Sequence, residues 1–374
     1  MKTNKFNVKE MIRPSCSGFE PYIAGKPVET IKRELGLKKV VKLASNENPL
    51  GPSRKALAAI RKASGLLYYY PDSNSWLLRQ ALAKKFKLRP ENVLFGCGSD
   101  ELIELMARLF FKPEDEIVIS EHAFIRYKMA GDLMGSKVVT VPMKNYTHDL
   151  EAMARAVTPR TKAIFIANPN NPTGTYNSAR EVERLLSRLY ARPGALPLVI
   201  FDEAYYEYAR TQKDYPETIS YLSRYPNLVI LRTFSKIYAL AGLRVGYGFA
   251  SPEVVDYIDR IRPPFNVNTP AQVGAVASLE DNAQVKKGVK LVEEQKKLLY
   301  RELEKMGVPF IPSATNFILV DVGPRRGQEM FRQMLRKGVI VRAMDEYNFP
   351  SHIRVTIGLP EENKLFLKAL KELR

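Results

Sequence analysis

The sequence has few of the residues that build disulfide-rich or metal-bound folds. Its 374 residues include two cysteines, Cys16 and Cys97, and three histidines, His122, His148 and His352. Two cysteines cannot form a disulfide framework, and three separated histidines give no metal-binding motif. We therefore expect no metal site, and a protein that functions in a reducing compartment.

Long apolar runs are missing as well. No segment approaches the roughly 18 uninterrupted apolar residues of a membrane span, and the amino-terminal residues lead into no apolar signal core. Hydrophobic residues make up 45% of the chain, with 21 glycines and 25 prolines. This composition is globular rather than collagen-like, coiled-coil or disordered. The sequence predicts a soluble, cytoplasmic protein of about two domains with no membrane partner.

Acidic residues are outnumbered, because 58 lysines and arginines against 40 aspartates and glutamates give a net charge of +18. A strongly basic chain can bind nucleic acid or attract small anionic substrates. The basic residues here occur mostly as pairs such as Lys38-Lys39, diluted by acidic residues, and form no basic tract. We interpret the charge as a solvated basic surface, keep steering of small anions as the second interpretation, and expect no nucleic-acid partner.

Apolar runs and helix-period stretches alternate through the first two thirds of the chain. The runs are typical of buried strands and cover residues 93–95, 117–119, 138–141, 163–167, 198–201 and 228–231. Between them lie amphipathic stretches, which include 100–111, 124–134 and 178–190. This alternation predicts an α/β fold with a mostly parallel central sheet sandwiched by helices.

The pattern changes at about Thr269, where long helices begin. Apolar residues then repeat every three, four or seven positions along one face, and shorter strand-like segments precede a closing helix from Pro360. We predict an amino-terminal arm over residues 1–50 that packs partly against the small domain. A large domain over 51–268 and a smaller α+β carboxyl-terminal domain over 269–374 follow it.

Ligands of open α/β sheets bind at the carboxyl ends of the strands, and two of these ends have unusual compositions. After the first run, Gly96 and Gly98 precede Ser99 and Asp100 at the start of a helix. Free backbone amides at such a position bind phosphate, and a plain strand-to-helix turn is the alternative. After 163–167, residues 168–174 form a corner rich in asparagine and proline, which continues neither a strand nor a helix.

Two further strand ends carry an acid and an amine. Asp202 follows the run 198–201, where a carboxylate needs a cationic partner such as a protonated heterocyclic nitrogen, or serves as a helix cap or in an ion pair. The segment after 228–231 combines hydroxyl residues with Lys236 and Arg244. A lysine in a closed site can form a Schiff base with an aldehyde. Together the four strand ends supply the parts that pyridoxal phosphate needs.

With these motifs the sequence resembles the fold-type I pyridoxal-phosphate aminotransferases, and within them the histidinol-phosphate aminotransferase branch. The resemblance covers nearly the whole chain. Besides the four strand ends, it includes residues 21–22, 45–51, 70–72, 316–342 and 354–358. It implies a large domain that binds pyridoxal 5'-phosphate, a smaller carboxyl-terminal domain, and a homodimer with shared active sites.

The resemblance also implies roles for the residues that match the family's cofactor motifs. Lys236 would form the Schiff base and then move a proton at the substrate's alpha carbon. Asp202 would keep the pyridine nitrogen protonated, and Asn171 and Tyr205 would hydrogen-bond the phenolic oxygen of the ring. The other implied cofactor contacts are the ring-stacking Phe124 and the phosphate-binding Ser99, Asp100, Thr233, Ser235 and Arg244.

Further matching residues concern the dimer and the substrate. Tyr70 resembles the tyrosine that this fold sends to the neighbouring subunit's cofactor phosphate, and aromatic packing is its alternative. Arg354 matches an arginine that binds a substrate carboxylate, and Arg342 matches one associated with the substrate's phosphate. Tyr22 and Asn46 would be further substrate contacts, for which ordinary packing or capping is the alternative.

The activity that the resemblance implies is reversible transfer of an amino group from L-histidinol phosphate to 2-oxoglutarate. The products would be imidazole acetol phosphate and L-glutamate, formed by a ping-pong mechanism in histidine biosynthesis. Two alternatives use the same fold, an aromatic amino acid aminotransferase and a decarboxylase of threonine phosphate. A catalytically silent binding protein is a third alternative, against which the intact Lys236 argues.

Overall fold

The computed structural model describes residues 6–19, 28–324 and 326–373. The strands in chain order are β1 (Val41–Lys42), β2 (Val93–Gly96), β3 (Glu116–Ser120), β4 (Lys137–Val141), β5 (Met143–Lys144), β6 (Thr147–His148), β7 (Thr161–Ala167), β8 (Leu198–Asp202), β9 (Leu228–Thr233), β10 (Gly246–Phe249), β11 (Phe310–Ile311), β12 (Phe317–Asp321), β13 (Val339–Ile340), β14 (Arg342–Met344) and β15 (Phe349–Thr356).

The helices separate these strands along most of the chain. They are α1 (Val8–Met11), α2 (Val28–Leu35), α3 (Arg54–Ala63), α4 (Trp76–Phe86), α5 (Ser99–Phe110), α6 (Ile125–Met134), α7 (Leu150–Arg155), α8 (Ala179–Tyr190), α9 (Tyr206–Ala209), α10 (Pro252–Ile261), α11 (Thr269–Leu279), α12 (Asn282–Lys305), α13 (Gly327–Arg336) and α14 (Pro360–Leu373). Within the described ranges, no helix combines the length and the apolar character of a membrane span.

The central sheet has seven strands in the order β2-β10-β9-β8-β7-β3-β4. Strands β3, β4, β7, β8 and β9 pair in parallel, and β10 runs antiparallel to both of its neighbours. The sequence predicted the six other strands of this sheet but not β10, in which Gly246 and Gly248 interrupt the apolar pattern. A Cβ at Gly248 would lie 2.5 Å from the Ile230 carbonyl oxygen, so this strand requires glycine.

Helices cover both faces of the sheet, as β8 illustrates. Val199 and Phe201 belong to one buried cluster with residues of α7 and α8. Ile200 belongs to a second cluster with residues of α5, α6 and α10. Because successive side chains of a strand point to opposite faces, such a strand needs apolar residues at every position, which explains the uninterrupted runs in the sequence. The predicted sandwich of helices around a mostly parallel sheet is confirmed.

A smaller antiparallel sheet, β11-β12-β15-β14, lies in the carboxyl-terminal part of the chain with α12, α13 and α14. Near the amino terminus, β1 pairs in parallel with β13, which ties residues 41–42 to that part. Helix α11 packs on α3 and α4. The domain boundaries after residues 50 and 268 remain predictions.

Candidate active site

A cavity of about 830 Å³ opens where β2, β7, β8 and β9 end. Its wall includes most of the residues that the sequence predicted for the site: Asn46, Ser99, Asp100, Phe124, Asn171, Asp202, Tyr205, Thr233, Ser235, Lys236, Arg244, Arg342 and Arg354. Tyr22 lies outside the described residues. Tyr70 lies at the surface, 81% exposed, with its ring stacked on Phe265 at a centroid distance of 4.8 Å.

One end of the cavity is built to hold an anion. Gly98 precedes α5 with a φ of 80°, so the first amides of this twelve-residue helix are open to a ligand. A Cβ at Gly98 would lie 2.4 Å from Arg244 Nη2, and one at Gly246 would lie 2.3 Å from the Ser99 amide nitrogen. Two glycines therefore allow a guanidinium and a helix amino terminus to approach one another, which forms a cradle for phosphate.

Two hydroxyl groups line the cavity after β9. The Thr233 hydroxyl donates to the Ser235 hydroxyl oxygen at 3.0 Å, and the Ser235 amide donates to Thr233 Oγ1 at 3.0 Å. These bonds fix the turn that leads from β9 to Lys236. The hydroxyl residues and the amine thus enter the cavity from one short rigid segment.

Lys236 presents its amine beside the phosphate cradle. Its Nζ donates to the Ser45 carbonyl oxygen at 3.2 Å and lies 5.7 Å from the centre of the Tyr205 ring. Burial of the amine, and next the positive charge of Arg354, lower the pKa of Lys236 to about 8. An amine with this pKa deprotonates far more readily than an ordinary lysine, which suits a nucleophile and a proton carrier.

Asp202, at the end of β8, is a buried carboxylate. Burial raises the pKa of Asp202 to about 6. Among the described residues, the Tyr127 hydroxyl donates to its Oδ2 at 2.8 Å and the Ala204 amide donates to its Oδ1 at 3.2 Å. Neither donor is charged, so a cation that enters the cavity beside Asp202 would be strongly stabilised.

Tyr127 is a site residue that sequence reasoning missed. Its fully buried ring stacks on Phe165 at 4.8 Å and meets the Phe124 ring edge-on at 5.8 Å. Its hydroxyl therefore reaches Asp202 from a fixed direction. The available signal was a tyrosine one helical turn after Phe124, which periodicity alone identifies only as a core residue.

Asn46 positions Tyr205 and is itself held in place. Its side-chain Nδ2 donates to the Tyr205 hydroxyl oxygen at 2.9 Å, and its backbone amide donates to Thr356 Oγ1 at 2.9 Å. Asn46 is buried with a φ of 56°, in the left-handed region that asparagine tolerates better than most residues. In this arrangement Asn46 supports the phenol of Tyr205, and the substrate contact predicted for Asn46 remains a prediction.

Arg354, on β15, is a buried cation held by neutral groups. It donates from Nη1 to Asn171 Oδ1 at 2.5 Å and from Nη2 to the Ala44 carbonyl oxygen at 2.8 Å. Its buried Nε has no hydrogen-bond partner among the described residues. Arg354 lines the cavity, and the groups bonded to it among the described residues are neutral, so its positive charge can attract a carboxylate or phosphate.

Arg342, at the start of β14, has a different environment, because a carboxylate holds it. Its Nη2 donates to Glu346 Oε1 at 2.7 Å and to Oε2 at 2.9 Å, and its Nε donates to Oε1 at 3.2 Å. Glu346 lies in the one-turn helix Asp345–Tyr347 and also lines the cavity. Glu346 was not predicted from the sequence, since residue spacing does not show in which direction a turn points its side chains.

The residues of the cavity fit pyridoxal phosphate. Lys236 supplies an amine for an aldehyde, the cradle at Gly98 and Arg244 suits a phosphate, and Asp202 suits a protonated ring nitrogen. These groups come from the ends of β2, β8 and β9. Strands β8 and β9 are adjacent in the sheet, and β10 separates β9 from β2.

Comparison with known proteins agrees with this chemistry. Residues 38–370 match the family described as aminotransferase class I and II. The chain belongs to this family. The histidinol-phosphate aminotransferase of Moorella thermoacetica is 46% identical over 362 residues, which cover 96% of this chain and 92% of that protein. The enzyme of the same name from Caldicellulosiruptor saccharolyticus is 44% identical over 97% of this chain and 100% of its own length.

Solved aminotransferase structures share the fold. A histidinol-phosphate aminotransferase from Sinorhizobium meliloti, crystallised with pyridoxal-5'-phosphate, superposes with a TM-score of 0.85 at 29% identity, over 96% of this chain and 99% of its own. Aspartate aminotransferase from Thermus thermophilus, with maleate, gives a TM-score of 0.81 at 21% identity, over 97% and 98% of the two chains, a likeness of fold alone. The predicted fold type and family are confirmed, and the roles of individual residues in this aminotransferase remain predictions.

Proposed function

We propose that this aminotransferase uses pyridoxal 5'-phosphate to move the amino group of L-histidinol phosphate to 2-oxoglutarate. The products are imidazole acetol phosphate and L-glutamate. The observation that carries the proposal is one cavity that joins Lys236, Asp202 and a phosphate cradle to the two arginines Arg342 and Arg354. Relatives named histidinol-phosphate aminotransferase, which match nearly the full chain, support the choice of substrate.

Bound pyridoxal phosphate supplies an aldehyde for the amino group and a ring that accepts electrons from the substrate's alpha carbon. Lys236 Nζ, with its pKa lowered to about 8, takes up and releases the proton at that carbon. Asp202 holds a proton on the ring nitrogen, because a carboxylate buried among neutral donors favours an adjacent cation. The Tyr205 hydroxyl, positioned by Asn46, donates a hydrogen bond to the phenolic oxygen.

The two arginines suit substrates with different charged groups. L-Histidinol phosphate carries a phosphate and no carboxylate, whereas 2-oxoglutarate and glutamate carry two carboxylates. Arg354 is bonded by neutral groups among the described residues, and Arg342, its cross-strand partner on β14, is paired with Glu346. Both substrates use the same cavity in turn, which is the requirement of a ping-pong reaction.

The shared-site homodimer is part of the proposal. Tyr70 is 81% exposed, and large apolar side chains near it in the sequence are exposed as well: Leu66, Leu67, Tyr68, Tyr69, Trp76 and Leu77. So many large apolar side chains exposed within one short stretch of the chain are typical of an interface between subunits. Sedimentation velocity is expected to give the mass of a dimer, and a fully active monomer would contradict the shared site.

The function is tested by a single-turnover titration of the protein loaded with pyridoxal phosphate, without any oxo acid. Histidinol phosphate is expected to remove the visible absorbance band of the bound cofactor, by conversion to pyridoxamine phosphate, at much lower concentration than phenylalanine. The matched control is Lys236→Ala, which should show no conversion with either donor. Conversion by phenylalanine at the lower concentration would identify an aromatic amino acid aminotransferase and refute the proposal.

A further inference from the structure

Arg342 and Arg354, which both line the cavity, differ in what neutralises them. Arg354 donates to an amide oxygen and a backbone carbonyl oxygen, and no group bonded to it within the described ranges carries a negative charge. Arg342 donates three hydrogen bonds to the carboxylate of Glu346. The first arginine offers an uncompensated charge to a ligand, whereas the charge of the second is balanced within the chain.

The ion pair of Arg342 and Glu346 is placed where a ligand can open it. Both residues line the cavity, and their side chains are 18% and 28% exposed. Glu346 comes from a one-turn helix that begins next to the register shift between Ala343 and Met344. Because water reaches both partners, separating them costs far less than separating a fully buried pair.

We propose that Glu346 determines substrate specificity by occupying Arg342 until an anionic group of the substrate displaces it. The proposal rests on the function proposed above, in which Arg342 binds the substrate's phosphate. A phosphate offers three acceptor oxygens and close to two negative charges, so it can replace every bond that Glu346 gives up. A substrate that presents a neutral group to Arg342 leaves the ion pair of Arg342 and Glu346 intact.

The pair therefore acts on anionic and neutral substrates in opposite ways. For an anionic group, Glu346 is a competitor and lowers affinity. For a neutral group, Glu346 prevents the cost of leaving an unpaired guanidinium against an uncharged ligand. Removing the carboxylate should tighten anion binding and leave neutral ligands unchanged or weaker, which increases discrimination between them.

The test is calorimetric titration of inorganic phosphate into the holoenzyme, whose own phosphate cradle the cofactor fills. E346Q is expected to bind phosphate roughly three- to tenfold more tightly than the unmodified protein, since one charge-assisted competitor is gone. In the R342Q background, adding E346Q should give no gain. This double-variant comparison assigns the effect to the ion pair.

The matched control is D345N, which removes a neighbouring carboxylate from the same turn. Asp345 lines the same cavity, and its Oδ2 is buried without a partner among the described residues. D345N should change phosphate affinity less than twofold. Equal gains from D345N and E346Q would mean that only the overall field matters and would overturn the proposal, as would an E346Q protein that binds phosphate no more tightly.

A second readout separates this inference from the proposed function. The absorbance titration is repeated on E346Q with each amino donor. Compared with the unmodified protein, E346Q should reach half conversion at a lower concentration of histidinol phosphate, and at no lower concentration of phenylalanine. If the unmodified protein converts phenylalanine preferentially while E346Q still tightens phosphate, the proposed function fails and the role of Glu346 stands. If histidinol phosphate is preferred but E346Q shows no gain, the role of Glu346 fails alone. Thermal unfolding of each variant verifies that it is folded.

Discussion

Asp202 and Glu203 are adjacent buried carboxylates with different hydrogen-bond partners. Both are buried, with exposures of 5% and 1%, and burial raises the pKa of each. Glu203 accepts hydrogen bonds from Arg232 Nε at 2.9 Å and from the Thr218 hydroxyl, and Arg232 Nη2 lies 2.7 Å from its Oε2. Asp202 accepts only neutral donors among the described residues.

The two residues point in opposite directions from the end of one strand, so one serves the fold and the other serves the cavity. Arg232 is 1% exposed, and its guanidinium lies 3.3 Å from the centre of the Tyr206 ring. The charges of Glu203 and Arg232 thus neutralise each other within the chain. In the part of the chain that the structure describes, Asp202 has no charged hydrogen-bond partner, which distinguishes a carboxylate available to a ligand from a structural one.

If the residues that face the cavity carry the chemistry, the largest loss of turnover should follow substitution of Lys236, whose amine lies in the cavity. Lys236→Ala should lower turnover by at least about 10⁴-fold, because it removes the nucleophile and the proton carrier together. Steady-state kinetics with a saturating amino donor measures the loss. The matched control is Lys296→Met, since Lys296 is a buried lysine that pairs with Glu293 on α12, away from the cavity. Turnover that fell equally in both variants would contradict the assignment.

The structural pair should affect folding instead of chemistry. Arg232→Met leaves Glu203 buried without its cation, which is expected to lower the free energy of unfolding by about 3–5 kcal/mol. Urea denaturation of the protein measures the change. Adding Glu203→Gln should restore part of the stability, because the orphaned charge is then removed. A double variant no more stable than Arg232→Met alone would show that the lost ring contacts dominate.

Asp202→Asn should lower turnover and should not destabilise the fold as Arg232→Met does. Turnover is expected to fall by about 10²–10³-fold, since the ring nitrogen loses its acidic partner. The folded-state pKa of about 6 lies above the ordinary value of 3.8. The stability that protonated Asp202 contributes is therefore full below pH 3.8 and lost as the pH rises through 6. In the cofactor-free protein, Asp202→Asn should remove this decline, which denaturation at pH 5 and pH 7 would detect.

The smallest predicted effect is the pH dependence of stability that His148 contributes, and its sign is opposite to that of Asp202. Burial lowers the pKa of His148 to about 4, from an ordinary 6.5. Its ring bonds the Ser120 hydroxyl and the Ala167 carbonyl oxygen at the ends of β3 and β7. Stability from the neutral ring is full above pH 6.5 and lost as the pH falls towards 4, by about 2 kcal/mol at pH 5. Titration of the histidine ring signals by NMR, assigned with His148→Gln, should find His148 uncharged at pH 5.

Much of this fold could be predicted because buried parallel strands leave an unmistakable pattern. Six strands of the central sheet carry apolar residues on both faces and were predicted. Strand β10 was not, since Gly246 and Gly248 replace side chains where the strand passes close to backbone atoms of its neighbours. That requirement depends on distances between segments far apart in sequence, which a local pattern does not contain.

The residues of the candidate site likewise include some that the sequence predicts and some that it does not. Lys236 and Asp202 were predicted from residue type and from their place after a strand, and Arg354 was predicted from its match to the family's motif. Tyr127 and Glu346 were missed, because the direction of a hydroxyl or a carboxylate depends on how a helix or turn is packed. The backbone carbonyl oxygens of Ala44 and Ser45 were also missed, as any residue type can supply them.

The short strand β1 has a consequence for how this enzyme can be recombined with its relatives. It pairs with β13, and the residues just after it bond Lys236, Tyr205 and Arg354. A chimera that takes its first fifty residues from one parent and the rest from another would therefore divide the active site, although Lys236, Tyr205 and Arg354 lie far from the crossover in sequence. The amino-terminal segment and the carboxyl-terminal sheet have to be inherited together.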